Sequence, residues 1–275
     1  RQLYGNLRIT AIREMINLNK ICDRELKQCF IKENLVSSAH SPNQLAVNRE
    51  TNTLYFSFDL GEGEYIPATL NIDTKKLTTL KGVKDAFAIA SDPIKQEIYF
   101  GGSHGIYKYN PSLKDLKRLG VKNLDIWWLQ IKNKIYFIKF PSLKIYFYAN
   151  RMVRSIPELR NSTVNQFVFD SDDNIFFINS TGLFGLKNGT NEVIFVKDNP
   201  RFLGMAVDNN GNIYLCSEDG VYIINKILFK VKRVVELQGI LGMTFDKDNN
   251  LIYSDSHEII RLKPTSKEYN NNEYI

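Results

Sequence analysis

The sequence predicts an all-β protein with one architecture, a six-bladed β-propeller with four strands in each blade. Three observations lead to this prediction. A triplet of apolar and aromatic residues recurs six times, at successive offsets of 44, 37, 40, 38 and 38 residues. A second strand-like segment follows most triplets, and a more polar one follows that. Four short strands per period of about 40 residues is typical of propeller blades.

The triplets are expected to be the second strands of the blades. They are Leu54-Tyr55-Phe56, Ile98-Tyr99-Phe100, Ile135-Tyr136-Phe137, Ile175-Phe176-Phe177, Ile213-Tyr214-Leu215 and Leu251-Ile252-Tyr253. Turns such as "SDDN", "DNNGN" and "DKDNN" precede them, because Asp, Asn and Gly accept left-handed backbone. Third strands are read in "GIYKYN", "KIYFYA", "GLFGLK", "GVYIIN" and "EIIRLK", and fourth strands in "EVIFVKD" and "KVKRVVEL".

The two ends of the chain suggest how the ring closes. The sixth repeat ends near Ser266 without a fourth strand, while strand-like pieces near the N-terminus belong to no repeat. We therefore expect the N-terminal segment to complete the last blade and cover its open edge. This makes residues 1–275 a single domain, with a closure segment at about 7–40, six repeats at 41–266 and a polar tail at 267–275.

The cysteines and the glycosylation sequons give information on the cellular compartment of the protein. Cys22 and Cys29 would staple a hairpin in an oxidising compartment, the alternative being two free thiols, and Cys216 is expected to be a buried or half-buried thiol. Three N-x-S/T sequons, at Asn161, Asn179 and Asn188, weakly favour a secreted glycoprotein. No Cys/His ligand box is present, which argues against structural zinc.

Composition excludes several classes of protein. The 36 Lys and Arg against 30 Asp and Glu give a net charge of +6, which is spread along the chain. A nucleic-acid partner would need basic residues clustered on one face, so we expect none. No window of 18 uncharged apolar residues occurs, so we expect no membrane-spanning helix and no membrane partner.

Aligning the predicted first strands on their turns separates two sets of residues. Side chains alternate between the two faces of a strand. We expect the bulky set to pack between blades: Leu45, Ile89, Leu129, Phe167, Met205 and Met243. We expect the small or amide-bearing set to line a central channel: Gln44, Ala46, Ala88, Ala90, Trp128, Gln130, Gln166, Val168, Gly204, Ala206, Gly242 and Thr244. The alternative is that both sets are simply core.

The channel set has an unusual composition. Trp128 is expected to face Gly204 and Gly242 across the channel, which would leave a flat slot. The glutamines supply hydrogen-bond donors and acceptors without charge: Gln44, Gln130 and Gln166. Such a lining suits a planar, polar aromatic molecule. The alternative is that Trp128 is a plug that fills the channel.

The top face, formed by the starts of the first strands and the loops after the triplets, is expected to collect further ligand contacts. They are His40, Asn43, Phe87, His104, Trp127, Arg201, Phe202 and His257. All three histidines of the chain fall on this face. They could ligate a metal or act as acid–base groups, or they could be ligand contacts on a solvated rim.

Three functional classes remain open at this point. The first is a carrier of a planar ligand, and the third is a propeller that binds only proteins. The second is a hydrolase, because "MAVDNNGNIYLCSEDGVYIIN" resembles blades of the gluconolactonase and paraoxonase superfamily. Those enzymes hold a catalytic divalent metal with Glu, Asn and Asp in the channel, and the two channel rows here contain no Asp or Glu. No G-x-S-x-G nucleophile motif occurs either, so we expect a non-enzyme without a required cofactor or metal.

Longer stretches resemble the ommochrome-binding proteins of lepidopteran insects. They are "QLAVNRETNTLYFSFDLGEGEYIPATLNIDTKK", "AFAIASDPIKQEIYFGGSHGIYKYN" and "LDIWWLQIKNKIYFIKFPSLKIYFY", and the resemblance runs from about Cys22 onward. It implies a secreted haemolymph carrier that binds a planar, acidic phenoxazinone pigment non-covalently, and we expect the carrier to be a monomer. No ligand motif carries over residue by residue. The expected site therefore rests on the channel: pigment entering from the top and stacking on Trp127 or Trp128.

Overall fold

The computed structural model describes residues 19–23, 27–37, 44–59, 61, 63–120, 124–198 and 200–265. Within these ranges the chain forms six antiparallel sheets, and the one helix is a 3₁₀ turn at Pro157–Leu159. The innermost strands of neighbouring sheets contact one another around a closed ring. The predicted all-β, six-bladed propeller is confirmed. The polar tail and most of the segment before the first strand lie outside the described residues.

The N-terminal strands and the first three blades alternate short strands with tight turns. The N-terminal strands are β1 (Lys20–Asp23) and β2 (Gln28–Ser37). Blade 1 consists of β3 (Ala46–Asn48), β4 (Thr53–Asp59), β5 (Tyr65–Asn71) and β6 (Leu77–Thr79). Blade 2 consists of β7 (Ala88–Ser91), β8 (Ile98–Gly102), β9 (Gly105–Asn110) and β10 (Asp115–Arg118). Blade 3 consists of β11 (Asp125–Lys132), β12 (Lys134–Phe140), β13 (Lys144–Ala149) and β14 (Met152–Ser155).

The last three blades continue the pattern. Blade 4 consists of β15 (Gln166–Phe169), β16 (Ile175–Asn179), β17 (Gly182–Leu186) and β18 (Val193–Lys197). Blade 5 consists of β19 (Phe202–Val207), β20 (Ile213–Ser217), β21 (Gly220–Asn225) and β22 (Lys230–Val235). The C-terminal part supplies three strands of blade 6, β23 (Gly242–Phe245), β24 (Leu251–Ser254) and β25 (Glu258–Pro264).

The N-terminal segment closes the ring, as predicted. Strand β2 pairs antiparallel with β25 and so becomes the fourth strand of blade 6. Strand β1 pairs with β2 and adds a fifth strand to this blade, which the repeat pattern did not predict. Cys22 and Cys29 lie directly opposite each other on these two strands and form a disulfide, which confirms the predicted staple. Both ends of the described chain are therefore tied into one sheet.

A buried ion-pair network reinforces the closure. The guanidinium of Arg261, on β25, donates at 2.6 and 2.8 Å to one oxygen of Glu33 on β2. It also donates at 3.2 Å to Asp246, whose side chain is fully buried in the turn after β23. A planar guanidinium suits such a fork between two carboxylates. The network links the N-terminal strand to both the outer and the inner strands of blade 6.

The core is divided among the seams between blades. Buried apolar residues of the described chain form six clusters, each built from two adjacent blades. The predicted bulky set supplies one member to each cluster, at Leu45, Ile89, Leu129, Phe167, Met205 and Met243. None of the six is more than 6 % exposed. The alternation in the sequence therefore identified the residues that hold neighbouring blades together.

The first-to-second-strand turns of blades 4, 5 and 6 share one hydrogen-bond pattern. In blade 5, one oxygen of Asp208 accepts the N–H groups of Asn210 and Asn212, while the other accepts the Asn212 side-chain amide. Asp170 and Asp246 repeat this arrangement in the other two blades. These aspartates are buried, and the hydrogen bonds that they accept within their own turns explain why the turn motif recurs.

The third cysteine is a free thiol. Cys216 on β20 is fully buried, as the sequence predicted. Burial disfavours the thiolate and raises the pKa of this group to about 12.

We expect Arg261→Ala to lower the free energy of unfolding by about 3–5 kcal/mol, because it leaves the buried Asp246 carboxylate unpaired. The matched control is Arg233→Ala, which removes a surface pair with Asp219 at 3.4 Å, with both side chains about half exposed. The control should cost about 0–1 kcal/mol. Urea unfolding of both variants measures the difference, and equal costs would contradict the closure role of Arg261.

Glu33 should make stability depend on pH. Burial favours its neutral form, but the charges and hydrogen bonds of Lys75 and Arg261 outweigh burial and hold the pKa below its ordinary value of 4.5. A carboxyl with a lowered folded-state pKa contributes stability that is present above pH 4.5 and is lost as the pH falls through the lowered value. We expect Glu33→Gln to reduce stability at neutral pH and to flatten its decline in acid. Urea unfolding across a pH series tests this, and an unchanged acid decline would count against it.

Candidate functional site

A cavity of about 350 Å³ occupies the centre of the ring. Seven members of the predicted channel set line it: Gln44, Ala46, Ala90, Trp128, Gln130, Ala206 and Thr244. The small side chains among them leave the axial space open. The volume lies in the range of small-molecule sites.

The cavity opens on the bottom face, which carries the turns between first and second and between third and fourth strands. First-to-second-strand turn residues border its mouth, among them Arg49, Pro93, Asn133, Ser171 and Asn209. The sequence analysis placed ligand entry on the opposite, top face. The open end of the channel therefore lies away from the predicted entrance.

Towards the top face, three side chains fasten the inner strands to one another. Gln44 donates to the Leu129 carbonyl at 2.6 Å and accepts from the backbone N–H groups of Ile89 and Leu129. The indole N–H of Trp128 donates to the Phe167 carbonyl at 2.7 Å. These side chains are at most 5 % exposed and span blades 1 to 4. Their polar atoms therefore form hydrogen bonds with backbone groups of neighbouring blades.

Gln166 extends this fastening from blade 4 to blade 5. Its side-chain oxygen accepts from the N–H of Met205 at 3.0 Å, and its nitrogen donates to the Leu203 carbonyl at 3.4 Å. We name Gln44, Trp128 and Gln166 the interblade clasps. Of the predicted channel glutamines, Gln130 is the exception, because its half-buried amide has no hydrogen-bond partner among the described residues. It is the amide that remains available to a ligand in the cavity.

Gly204, one of the two glycines predicted to face Trp128, has a different structural role. A Cβ at Gly204 would lie 2.7 Å from the sulfur of Cys216 and 3.3 Å from the Leu241 carbonyl. Gly204 therefore makes room for neighbouring protein atoms, and the predicted flat slot is filled at this position.

Positive charge is available at the mouth of the cavity. Arg49 and Lys132 both border it, although Lys132 also forms an ion pair with Asp173 in the turn after β15. The neighbouring aspartates are occupied: Asp92, Asp170 and Asp208 each accept backbone N–H groups of their own turns. The sequence did not identify Arg49 and Lys132 as site residues. Arg49 lies three positions after Ala46, and Lys132 lies two positions after Gln130.

The cavity is apolar at several points of its wall. Met205, Met243, Phe169 and Phe245 line it beside the channel row. Strand alternation predicted that both methionines, like Leu45 and Ile89, lie only in the seams. All four also line the cavity, so period-two alternation does not separate seam from cavity completely.

The top face carries a row of aromatic rings over blades 1 to 3. Phe87 and Trp127 have ring centroids 5.0 Å apart, Trp127 stacks on Phe140 at 5.6 Å, and Tyr65 packs edge-on to Phe87 at 5.0 Å. A β-bulge between Ile126 and Trp128 interrupts the pairing of β11 at Trp127. The predicted residues Phe87 and Trp127 are thus brought together, but neither lines the cavity.

Carboxylates accompany this row. Asp85 is buried and accepts the N–H of Ser103 at 2.7 Å. Partial burial and the nearby Asp85 charge raise the pKa of Asp125. Partial burial and the charges of Asp59 and Asp85 likewise raise the pKa of Tyr65. This side of the ring is less suited to an acidic ligand than the mouth of the cavity.

The other predicted contacts are scattered. Phe202 is buried against Tyr222 at 5.6 Å, and Arg201 is exposed. His104 is exposed beside Ser103, and His257 is exposed after β24. His40 and Asn43 lie outside the described residues. No group of three or more His, Cys, Asp or Glu side chains in the described ranges is arranged to hold a metal ion.

The predicted glycosylation sites differ in their surroundings. Asn161 and Asn188 are exposed. The side-chain nitrogen of Asn179 donates to the Thr163 carbonyl at 2.8 Å, so this amide is engaged in the fold. Glycosylation at all three remains a prediction. In the described chain no helix is long and apolar enough to cross a membrane.

Fold and site together define a class of protein: a closed six-bladed propeller with an axial cavity of small-molecule size. No model of a known protein family matches the chain. The chain is 32% identical over 257 residues to the ommochrome-binding protein of Manduca sexta, an alignment that covers 88% of this chain and 93% of that protein. The chain therefore belongs to the ommochrome-binding protein family, which confirms the resemblance seen in its sequence.

Solved structures share the architecture. A gluconolactonase from Xanthomonas campestris superposes with a TM-score of 0.71 at 14% identity, over 90% of this chain and 94% of that one. A streptogramin B lyase superposes with a TM-score of 0.56 at 12% identity, over 86% of this chain and 98% of that one. At such identities the likeness shows the fold alone.

We expect Gln44→Leu to cost about 3 kcal/mol of folding free energy, because three buried backbone groups lose their partner. Gln130→Leu is the matched control: it is the same substitution in the same channel, at an amide with no partner in the described chain. It should change stability by less than about 1 kcal/mol. Urea unfolding of both variants separates a clasp from a cavity-lining residue, and similar losses would contradict the distinction.

Proposed function

We propose that this protein is a secreted carrier, found in haemolymph, that binds an ommochrome pigment non-covalently in the axial cavity. The observation that carries the proposal is the 32% identity to an ommochrome-binding protein across nearly the whole chain. The geometry adds a cavity of about 350 Å³ lined mainly by small and apolar side chains. A carrier needs such a preformed site and no reactive group.

The chemistry of the cavity matches a planar, acidic, aromatic ligand. Met205 and Met243 offer polarizable apolar contacts to a ring system. Gln130 offers an uncommitted amide to a ring nitrogen or carbonyl. Arg49 at the mouth can pair with a carboxylate that remains partly in water, whereas the charge of Lys132 is shared with Asp173. In this arrangement the rings enter first and the acidic groups stay near the bottom face.

Trp128 takes part as a wall of the cavity. It lines the space while its indole N–H is held by the Phe167 carbonyl. Its role is therefore to present a fixed aromatic surface, with no hydrogen bond left for the pigment. Trp127 belongs to the row on the top face, and stacking there is the competing location for the ligand.

The hydrolase alternative rests on fold alone. The gluconolactonase neighbour is 14% identical, whereas the sequence relative that spans the chain is named for binding. Assays of lactone and arylester hydrolysis with added calcium test this alternative. Metal-dependent turnover would replace the carrier proposal.

We expect Thr244→Trp to weaken pigment binding more than about a hundredfold, because the indole would fill the cavity. Gln130→Leu should weaken it about tenfold through the loss of one hydrogen bond. Trp127→Ala, on the top face, is the control and should stay within about twofold of the parent protein. Titration with xanthommatin, followed by its visible absorption and by tryptophan quenching, measures all three. Loss of binding in Trp127→Ala with retention in Thr244→Trp would move the site to the top face.

A further inference from the structure

The bottom face exposes large apolar side chains to an unusual degree. Within the described ranges, the five most exposed of these side chains are Ile227 (89%), Ile94 (84%), Leu113 (75%), Leu228 (61%) and Leu77 (58%). All five lie in or directly after turns of this face, on blades 1, 2 and 5. Met152, 48% exposed, adds the corresponding position of blade 3. Single exposed apolar residues are ordinary, but their concentration on one face is informative.

Lysine and arginine side chains lie beside these exposed apolar residues, which we call the apolar tips. Lys76 precedes Leu77, Lys114 follows Leu113, Arg151 precedes Met152, and Lys230 lies two positions after Leu228. None of these four cations has an ion-pair partner among the described residues. The carboxylates of the same turns are already paired, Asp73 with Lys247 and Asp115 with Lys117. The outer part of the bottom face therefore presents unpaired positive charge beside apolar side chains.

We call the turns between first and second strands the inner turns and those between third and fourth strands the outer turns. Hydrogen bonds show that both kinds of turn lie on this face. Lys226, in an outer turn of blade 5, donates to Ser171 in the inner turn of blade 4 and to the Gly211 carbonyl. Asn52 and Asp73 join the inner and outer turns of blade 1 at 3.1 Å. The apolar tips thus surround the mouth of the axial cavity. Tips on four blades around a ring can all touch a flat partner at once, whereas a protein partner of ordinary interface size would cover only some of them.

We propose that the bottom face docks on an anionic lipid membrane surface, with the apolar tips inserted at the headgroup level and the lysines and arginine against acidic headgroups. The sequence predicted no membrane partner because it contains no segment long and apolar enough to span a bilayer, a criterion that does not apply to docking on a membrane surface. Docking in this orientation would place the cavity mouth against the bilayer. The inference does not depend on the identity of the ligand, because it rests on the surface alone.

The test is co-sedimentation of the ligand-free protein with vesicles of phosphatidylcholine, with and without 30% phosphatidylserine. We expect binding to the anionic vesicles only, and its loss in 0.5 M salt, which screens exposed charges. The triple variant Lys76→Gln, Lys114→Gln, Lys230→Gln should bind at least about tenfold more weakly, since each lysine near such a surface contributes roughly fivefold. The variant Leu113→Ser, Ile227→Ser, Leu228→Ser should lose binding although its charge is unchanged.

The matched control combines Phe195→Ser with Lys81→Gln and Lys84→Gln, which alter an exposed apolar side chain and two exposed lysines away from the bottom-face turns. It should bind like the parent protein, and urea unfolding should show that every variant is folded. Blade 4 carries the Asn188 sequon in its outer turn, so each assay is run with unglycosylated protein and repeated on glycosylated protein. Absence of binding by the unglycosylated protein, equal binding to neutral vesicles, or equal losses in the control would overturn the proposal. Because no pigment is used, these outcomes are independent of the carrier proposal.

Discussion

The pairing of β2 with β25 is the interaction on which the whole ring depends. It joins the beginning of the described chain to its end, and Arg261 adds a charged bridge between the two strands and the buried Asp246. Each of the six seams needs a blade on both sides to bury its apolar cluster. If the pairing were lost, the seam between blades 6 and 1 would open, and its cluster around Leu54 and Ile252 would face water.

Closure also determines what the centre of the ring can do. The interblade clasps hold the inner strands together towards the top, while small side chains leave space towards the bottom. The result is a blind channel whose shape is set by backbone hydrogen bonds, so that a ligand meets a preformed wall. A site of this kind favours retention of a rigid planar molecule.

Much of the fold could be predicted from the sequence, because the strands of a propeller show two periodic patterns. The repeat of about 40 residues located the blades, and the alternation within first strands separated seam residues such as Phe167 from channel residues such as Ala90. The sequence did not predict that the interblade clasps form hydrogen bonds between blades. Whether Gln44 or Gln130 is free depends on how far one blade is shifted against the next, and no pattern within a single repeat contains that information. The fifth strand of blade 6 and the open end of the channel were missed for the same reason.

Cys216 illustrates what burial does to a free thiol in a chain that also carries a disulfide. Because burial raises the pKa of this thiol, the thiolate is scarce at neutral pH. Exchange with the Cys22–Cys29 disulfide needs a thiolate that can reach it, so the odd cysteine cannot scramble the staple while the protein stays folded. The same packing against Gly204 shields the sulfur from oxidants.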